Sequence, residues 1–488
     1  MLKLLKVLGL SSLCALIVSL YGCGVGLDST QKSLETQSSQ SETLSNGDLI
    51  SYEAKESWPK AVADTLVGAS GIPASKASWS TDSSYLESGV STLLDNFYNF
   101  DSFFSNLETR PNVVQYNISY QTNNRAASAA VFIGGTASTT QPIMLFHHGT
   151  IFEYSDAPSL TSIDLKTLAT HFTGAGGEMS VALLFAYDGY IVVAPDQLGF
   201  GDASGVFHPY LISSMASQTS IDAIKAVRTM IDKEEVNASY NTEIYSTGYS
   251  EGGYSAMALC KHLIETPVSG MNLKACAPNA APIDLSTTMY ATMTADTVIF
   301  PPYLPYLIFA YQDQYSDFPK NSEIFKSSTA GVNYGDQVKS VFDFVNSSSV
   351  IWAAMSPEYP PTLNKTPKNL ILDDVLTAMN ADLAAGTHAH AIRAKLHDND
   401  LHRVHEWTGD YSSVPIQLCT LAYDGIVPLA NASNAVANGN QMILKDPSNG
   451  TKIISTEGLL AGKTHHALGL VPCIKETKTF FDSKKNGS

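Results

Sequence analysis

The sequence predicts an α/β protein whose mostly parallel central sheet is flanked by helices and interrupted by a large, mainly helical cap insertion. Apolar runs suited to buried strands alternate with helical patterns from about residue 142 to residue 277. Alternation of this kind is typical of parallel sheets with right-handed crossovers. Residues 284–412 then lack an obvious next strand, and an apolar run at 416–421 indicates that the sheet resumes after them.

Length and charge limit the classes of protein to consider. A chain of 488 residues can form one large domain with an insertion, or two domains. The formal net charge of −17 argues against a nucleic-acid partner, because phosphates would be repelled. The acidic residues are spread along the chain, which favours a role in solubility over an acidic binding site.

The N-terminus has the pattern of an export signal. Lys3 and Lys6 precede a mostly apolar stretch at 7–20 that is too short to favour a permanent membrane span. The sequence L-Y-G-C at 20–23 follows, and it resembles the cleavage motif of a bacterial lipoprotein signal peptide. The resemblance implies that residues 1–22 are removed and that Cys23 carries the lipid; an ordinary secretory signal cleaved nearby is the alternative. We therefore expect an exported lipoprotein anchored at the outer membrane or cell surface rather than the inner membrane.

The segment after the signal predicts a flexible tether. Residues 23–50 are rich in Ser, Thr and Gln and poor in large apolar side chains, so they cannot bury enough surface to offset their chain entropy. Residues 51–283 are expected to form the first part of the core and 413–488 the second part. Residues 284–412 are expected to form a cap over the carboxyl ends of the strands, with a separate small domain as the alternative.

The elements of the core are predicted in chain order. Residues 51–110 have a helical or irregular pattern, with 83–104 as a helix packed on the sheet. Alternating apolar residues at 114–120 and an apolar run at 126–133 flank a turn at 122–124, which predicts an antiparallel hairpin. Further strands are predicted at 143–146, 189–194, 243–247, 273–277, 416–421 and 451–455, and helices at 218–235, 254–260, 370–384 and 429–436.

The sequence G-Y-S-E-G-G at 248–253 lies between a predicted strand and a predicted helix. A G-x-S-x-G motif at such a junction is typical of the tight turn that carries a nucleophilic serine. The turn needs small neighbours because the strand and the helix come close together, and the helix N-terminus favours developing negative charge. Ser250 is therefore the candidate nucleophile, and a structural glycine turn is the alternative.

The sequence H-H-G-T at 147–150 follows a predicted buried strand. A His-Gly turn in this position is a usual place for half of an oxyanion hole. The backbone N–H of Thr150, or that of Gly149, is expected to be one donor to the oxyanion, and the N–H of Glu251 the second.

Three polar residues nearby are interpreted as structural. His147 and His148 are expected to orient their loop by hydrogen bonds rather than to transfer protons. The sequence P-D-x-x-G-x-G at 195–201 is typical of a turn that leaves a strand, so Asp196 is interpreted as a turn residue rather than as a catalytic acid.

Candidates for an acid and a base follow late in the chain. Asp424 begins D-G-I-V-P just after a predicted strand, whereas the rival acids Asp410 and Glu406 do not leave a strand so cleanly. An acid here would hold the imidazole of a base in the right tautomer. The base is expected on a loop after the last strand, where His466 opens an apolar run typical of a terminal helix; His465 stays the alternative base.

The cysteines and histidines leave several interpretations open. Four cysteines follow Cys23, and they either form disulfides in one of three pairings or stay buried thiols. These four are Cys260, Cys276, Cys419 and Cys473. Five histidines in the insertion, at 388, 390, 397, 402 and 405, lack recognised metal-ligand spacing, so we expect no metal site.

These motifs together resemble an α/β-hydrolase of the secretory lipase type, the group that includes the fungal lipase A enzymes. The similarity spans about residues 110–480 and includes A-P-x-x-A-P-x-D-L at 277–285 and the insertion after it. The resemblance implies the α/β-hydrolase fold, hydrolysis of carboxylic esters, and a cap that shapes an acyl-binding tunnel. It implies no metal or organic cofactor.

The leading hypothesis is therefore a lipase or esterase that uses a Ser250–His466–Asp424 triad on a small-molecule ester or lipid. The membrane is a partner through the lipid anchor at the N-terminus. One alternative is a serine aminopeptidase of the same fold, in which Glu251 beside the nucleophile attracts a substrate amine. Another is a surface lipoprotein that binds lipid without catalysis.

Overall fold

The computed structural model describes residues 32–33, 44–58, 112–161, 163, 175–233, 236–296, 298, 300–328, 330–344, 367–439, 441–451 and 459–485. The predicted signal peptide, the lipidation site at Cys23 and the predicted helix at 83–104 lie outside these residues.

The described residues contain a ten-stranded sheet in the order β1-β2-β3-β4-β6-β5-β7-β8-β9-β10. The pairs along β6-β5-β7-β8-β9-β10 are parallel, whereas the pairs along β1-β2-β3-β4-β6 are antiparallel. The strands are β1 (Lys32–Ser33), β2 (Leu49–Trp58), β3 (Val113–Thr122), β4 (Arg125–Ile133), β5 (Thr140–His147), β6 (Ile191–Pro195), β7 (Ser239–Tyr249), β8 (Asn272–Asn279), β9 (Gln417–Cys419) and β10 (Ile443–Lys445).

Eleven α-helices lie among the described residues. They are α1 (Ala175–Tyr187), α2 (Ser213–Asp232), α3 (Glu251–Glu265), α4 (Tyr290–Met293), α5 (Tyr303–Gln314), α6 (Asn321–Ile324), α7 (Tyr334–Phe344), α8 (Asp373–Ala384), α9 (Ala391–Asp398), α10 (Ala430–Asn438) and α11 (Leu459–Lys485). A π-helical turn spans Leu285–Met289, and short 3-10 helices span Tyr154–Asp156, Gly201–Ala203, Pro367–Leu370, Val404–Glu406 and Tyr411–Ser413.

The sheet is buried on both faces, as its continuous apolar strands predict. Alternate side chains of β5 separate into two cores: Ile143 and Leu145 pack with α2 and α3, and Met144 and Phe146 pack with α1 and α11. Side chains alternate between faces because successive residues of a strand point in opposite directions. The mostly parallel, doubly covered sheet that the sequence predicts is therefore confirmed.

The predicted hairpin is confirmed as β3 and β4. Its two turn residues, Asn123 and Asn124, have positive φ values of 48° and 59°. Positive φ at both central residues is the feature of the hairpin turn whose twist matches that of the strands, and asparagine tolerates it better than most residues.

The interpretation of residues 51–110 as helical or irregular is wrong for its first eight residues. Strand β2 pairs antiparallel with β3, and most of its side chains are only half-buried. Charged residues such as Glu53 and Lys55 hide the apolar alternation that marks a strand. Residues 32–33 and Leu49, within the predicted tether, also pair in the sheet.

The end of the core differs from the prediction in two places. The structure has a strand after α10 at Ile443–Lys445, which the sequence did not predict. The strand predicted at 451–455 lies outside the described residues except for Thr451, which is not in a strand. The predicted base lies inside helix α11 rather than on a loop before it. The described residues of the insertion between β8 and β9 are mainly helical, with loops and two isolated β-bridges, and the helix predicted at 370–384 begins at Asp373.

Two disulfides answer the question that the cysteine count left open. Cys260 of α3 is bonded to Cys276 of β8, and Cys419 of β9 is bonded to Cys473 of α11. The second bond joins the strand that precedes Asp424 to the helix that carries His466. Among the helices described, none is both long enough and apolar enough to cross a membrane.

Candidate active site

Ser250 occupies a tight turn between β7 and α3. Its backbone has φ 59° and ψ −122°, a conformation that L residues rarely adopt outside functional turns. A Cβ atom on Gly252 would lie 2.0 Å from the carbonyl oxygen of His147, and one on Gly248 would lie 2.4 Å from the carbonyl oxygen of Gly252. Any larger residue would push the strand and the helix apart, so the glycines of the motif permit the turn.

The structure brings three of the predicted site residues together. The Nε2 atom of His466 lies 3.0 Å from Oγ of Ser250, and its Nδ1 atom lies 2.6 Å from Oδ2 of Asp424. Because Asp424 accepts the proton of Nδ1, the neutral ring keeps a lone pair on Nε2 for the serine hydroxyl. This arrangement can remove a proton from Ser250 and stabilise the imidazolium that results.

Two backbone amides hold Asp424 in place. The N–H groups of Ile426 and Val427 donate to its Oδ1 atom at 2.9 and 2.8 Å. The other carboxylate oxygen, Oδ2, is the one that accepts from Nδ1 of His466. Asp410 and Glu406, the rival acids, are exposed and lie elsewhere: Asp410 accepts from Ser412, and Glu406 lies near Arg403.

The alternative base does not contact the nucleophile. His465 is buried, and its ring lies 5.9 Å from that of Tyr423, between centroids. Adjacent residues of a helix point about 100° apart, so only one of the two histidines can face Ser250. Of the two, His466 is the histidine that contacts Ser250.

The loop predicted to stabilise an oxyanion has only one of its two proposed donors available. The N–H of Gly149 donates to Oε2 of Glu178 at 2.6 Å, so the proposal that Gly149 donates to an oxyanion is not supported. Within the described part of the chain, the N–H of Thr150 has no hydrogen-bond acceptor. The N–H of Glu251 opens helix α3, where the first amides lack acceptors inside the helix.

Two buried ionisable side chains, those of Glu178 and His147, lie at the loop formed by residues 147–150. Burial raises the pKa of Glu178 to about 8, although the hydrogen bond from Gly149 opposes the shift. Burial and the neighbouring His148 lower the pKa of His147 to about 3, so His147 is neutral at ordinary pH.

His148 and Asp196 have the structural roles expected of them. The ring nitrogens of His148 lie 2.7 Å from the carbonyl oxygen of Gly149 and 3.1 Å from that of Asp196. The Asp196 carboxylate accepts hydrogen bonds from the hydroxyl of Ser128 and from the hydroxyl and backbone N–H of Ser159. Both residues therefore fasten the loops around the nucleophile.

Glu251 has a partner that the sequence did not reveal. Its side chain is buried, and its Oε1 atom lies 2.5 Å from Nε2 of His208. The Nδ1 atom of His208 lies 2.6 Å from the carbonyl oxygen of Leu198, so it carries a proton. One further proton therefore lies between Glu251 and His208, and the pair as a whole is neutral whichever partner holds it.

Aromatic side chains of the insertion lie over the site. The ring of Tyr303 of α5 stacks on that of Phe152, which follows the oxyanion loop, and the ring of Tyr306 packs against Phe152 at a tilt of 51°. The Oγ1 atom of Thr150 lies 3.2 Å from the hydroxyl of Tyr210. A groove beside them has a mostly aromatic lining of Phe152, Tyr154, Phe200, Phe207, His208, Tyr306 and Phe342, with Gly199 and Val206.

Burial affects the chemistry of this aromatic wall. It raises the pKa of Tyr303, and the nearby carboxylates of Glu251 and Asp424 raise it further. Tyr303 is therefore a neutral hydrogen-bond donor at ordinary pH. No spacing in the sequence identified the neighbours of Gly149, Thr150 and Glu251, because these neighbours are distant in the chain. They are Glu178, Tyr210, Tyr303 and His208.

Known proteins are similar to this chain in fold more than in sequence. No protein-family model matches the chain, and no curated protein matches it. A candidate hydrolase of Legionella pneumophila gives a TM-score of 0.62 at 20% identity, covering 90% of this chain and 98% of that one. The rice cell wall degrading esterase LipA of Xanthomonas oryzae gives 0.62 at 21% identity, covering 90% of this chain and 100% of LipA.

Candida antarctica lipase A in its closed state gives a TM-score of 0.43 at 15% identity, covering 68% of this chain and 71% of that lipase, which is too low to support an argument. Identities near 20% establish the fold alone for the first two proteins. With the sheet order and the serine turn described above, they lead to one conclusion: this chain has the α/β-hydrolase fold.

Proposed function

We propose that this chain is a serine hydrolase that cleaves carboxylic esters, of the esterase or lipase class. The observation that carries the proposal is the chain of contacts from Ser250 through His466 to Asp424, with distances of 3.0 and 2.6 Å. Each member is more than nine-tenths buried, which strengthens the electrostatic part of these contacts.

In the acylation step, Oγ of Ser250 attacks the ester carbonyl carbon while Nε2 of His466 takes the hydroxyl proton. The negative charge on the carbonyl oxygen is stabilised by the N–H groups of Thr150 and Glu251, each worth about 3 kcal/mol of the barrier. The tetrahedral intermediate then collapses as Nε2 gives its proton to the leaving alcohol oxygen. The product of this step is an ester of Ser250 with the acyl group.

In the deacylation step, water attacks the acyl carbon, and Nε2 of His466 takes a proton from that water. Collapse of the second intermediate returns the proton to Oγ of Ser250 and releases the carboxylic acid. Asp424 stays ionised throughout and stabilises the imidazolium in both steps.

The aromatic wall supports an apolar acyl or alcohol group as part of the substrate. Phe152, two residues after Thr150, packs against the rings of Tyr303 and Tyr306, so a bound ester would contact aromatic rings rather than charged groups. Apolar pockets with a few placed polar groups are typical of sites for small molecules. Esters of lipids are one such class.

The aminopeptidase alternative receives no support from Glu251. An acidic residue that binds a substrate ammonium should have an uncompensated negative charge, whereas Glu251 shares a proton with His208. Non-catalytic lipid binding would need neither the His466–Asp424 contact nor the hydrogen bonds from Ile426 and Val427.

We also propose that the protein is exported and anchored to a membrane by a lipid on Cys23, with the residues between Cys23 and strand β1 as the tether. The two disulfides support an oxidising compartment, because disulfides persist in exported proteins and are rare in reducing ones. Incorporation of radiolabelled palmitate that is lost in Cys23→Ala tests this placement.

The test of the activity is hydrolysis of p-nitrophenyl esters of increasing acyl length, compared with aminoacyl p-nitroanilides. We expect the esters to be cleaved and the anilides not to be. Ser250→Ala should lose at least about a thousandfold in kcat/KM. Cleavage of anilides alone would favour the peptidase, and full activity in Ser250→Ala would exclude the mechanism.

A further inference from the structure

A second cluster of ionisable side chains lies at the base of the insertion. Asp284, Asp400 and His402 are all buried, and one ligand atom of each lies within 4.8 Å of the others. The Nδ1 atom of His402 is 3.7 Å from Oδ1 of Asp284 and 4.0 Å from Oδ1 of Asp400.

These separations are too long for direct hydrogen bonds. The Nδ1 atom of His402 is fully buried and has no hydrogen-bond partner among the described residues, although it points at both carboxylates. A buried imidazole nitrogen without a partner costs free energy, and a ligand that bonds to this nitrogen and to both carboxylates would remove that cost.

Hydrogen bonds from neighbouring groups orient both carboxylates towards this space. Asp400 Oδ1 accepts from the N–H groups of Leu285 and Ser286 at 2.7 and 3.0 Å. The hydroxyl of Ser286 donates to the other oxygen, Oδ2. Carboxylates that bind metals commonly accept hydrogen bonds from groups that do not touch the metal.

Asp284 is held similarly. Its Oδ2 atom accepts from Thr288 Oγ1 at 2.6 Å and from Asn434 Nδ2 at 2.8 Å, which leaves Oδ1 with one long contact of 3.2 Å from the N–H of Thr287. The nearest arginine, Arg403, approaches the other oxygen of Asp400, Oδ2, at 3.8 Å. Oδ1 of Asp284 and Oδ1 of Asp400 therefore both face His402.

We propose that Asp284, Asp400 and His402 bind a divalent transition-metal ion of the zinc type. Neutral imidazole nitrogen and carboxylate oxygen are zinc ligands, with bonds of about 2.0–2.2 Å that place neighbouring ligands about 3.4 Å apart. The separations from Nδ1 of His402 are 3.7 and 4.0 Å, and all three ligand atoms lie within 4.8 Å of one another, so small shifts of the side chains would bring them to these distances. Calcium binds oxygen ligands and does not favour imidazole, so it is the less suitable ion.

The position of the site gives the ion a structural role. Asp284 starts the insertion after β8, whereas Asp400 and His402 lie near its end. Asn431 and Asn434 of α10, the helix after the Asp424 loop, contact Asp284. An ion here ties both ends of the insertion to the core. The inference is independent of the proposed hydrolysis, because none of its ligands contacts Ser250 or His466.

The direct test is zinc binding to the purified protein after treatment with a chelator and dialysis. Isothermal titration with zinc chloride should give one site per chain. Melting should rise by about 3 °C at a hundredfold excess of free zinc over Kd, and calcium chloride should have no such effect. Failure of zinc to bind, or an equal effect of calcium, would overturn the proposal.

Variants locate the site. His402→Gln and Asp284→Asn should each weaken zinc binding at least about tenfold, whereas His405→Gln, a change at an exposed histidine of the same insertion, should bind like the unaltered protein. Equal binding by His402→Gln would place the zinc on other histidines and contradict the assignment. If a variant does not fold, the chelation and zinc addition on the unaltered protein still decide the question.

Discussion

The hydroxyl of Tyr249 donates a hydrogen bond of 2.7 Å to the backbone carbonyl oxygen of His466. The residue before the nucleophile thus holds the helix that carries the base, although 217 positions separate them in the chain. Gly469 makes room for this contact, because a Cβ atom there would lie 2.3 Å from the Tyr249 hydroxyl oxygen. The contact joins the strand before the nucleophile to the helix that carries the base, through the backbone of His466 rather than through its ring.

Tyr249→Phe should lower kcat for ester hydrolysis about tenfold with little change in KM, because a loosened His466 impairs proton transfer more than binding. Steady-state kinetics on a p-nitrophenyl ester measures this. Tyr245→Phe is the matched control, since Tyr245 is on the same strand and its buried hydroxyl has no hydrogen-bond partner among the described residues. Equal losses in both variants would show that packing, not the hydrogen bond, matters.

The two adjacent histidines should differ sharply. His466→Gln should reduce kcat about ten-thousandfold or more, because no other base lies against Ser250 in the described structure. His465→Gln should keep at least about a tenth of the activity. Thermal melting of both variants checks that they fold. A larger loss of activity in His465→Gln than in His466→Gln would show that His465 is the base.

Glu178 should make the stability of the protein fall with rising pH. Its pKa is raised by burial from 4.5 to about 8, so the folded state stays protonated where the unfolded state is ionised. The stability it contributes is present below about pH 4.5 and lost as pH rises to about 8, by the order of a few kcal/mol.

Glu178→Gln removes this ionisation and can still accept from Gly149. Its melting temperature relative to the unaltered protein should therefore rise progressively between pH 5 and pH 8. Melting curves across that range measure the difference. A difference that does not vary with pH would mean that Glu178 does not carry the effect.

The disulfide between Cys419 and Cys473 should protect the alignment of Asp424 and His466. It closes a loop of 54 residues, for which chain entropy predicts about 4 kcal/mol of stabilisation. The double variant Cys419→Ala/Cys473→Ala should lose stability and also kcat.

The matched control is Cys260→Ala/Cys276→Ala, which opens the other disulfide and leaves the strand and helix of the triad joined. It should lose stability without a comparable loss of kcat at a temperature where both proteins are folded. Chemical denaturation and kinetics on both double variants separate the two effects. Equal kcat losses would contradict a specific role for the Cys419–Cys473 bond.

Hydrophobic patterns in the sequence predicted the buried parallel strands and the amphipathic helices of the fold. Runs such as 143–146 and 189–194 are apolar throughout because both faces of a parallel strand are buried, and helix α2 is amphipathic. Strand β2 was missed because charged residues interrupt it, and β10 because three residues at the edge of a sheet leave no periodic signal.

The candidate site shows the same division. The glycines around Ser250 and the order of Ser250, Asp424 and His466 are visible in the sequence, since each is a short motif next to an element. The pairing of Glu251 with His208 and the hydrogen bond from Gly149 to Glu178 are not, because they depend on how distant elements pack. Gly149 was therefore predicted as an oxyanion donor from the sequence, whereas in the structure its N–H donates to Glu178.

The most direct test of the central claim is covalent labelling of the folded protein by a fluorophosphonate, followed by peptide mass spectrometry. We expect one adduct per chain, located on Ser250, and no adduct in His466→Gln on the same timescale, because the serine is then not activated. An adduct on another residue, or no adduct on protein that melts cooperatively, would contradict the assignment of Ser250 as the nucleophile.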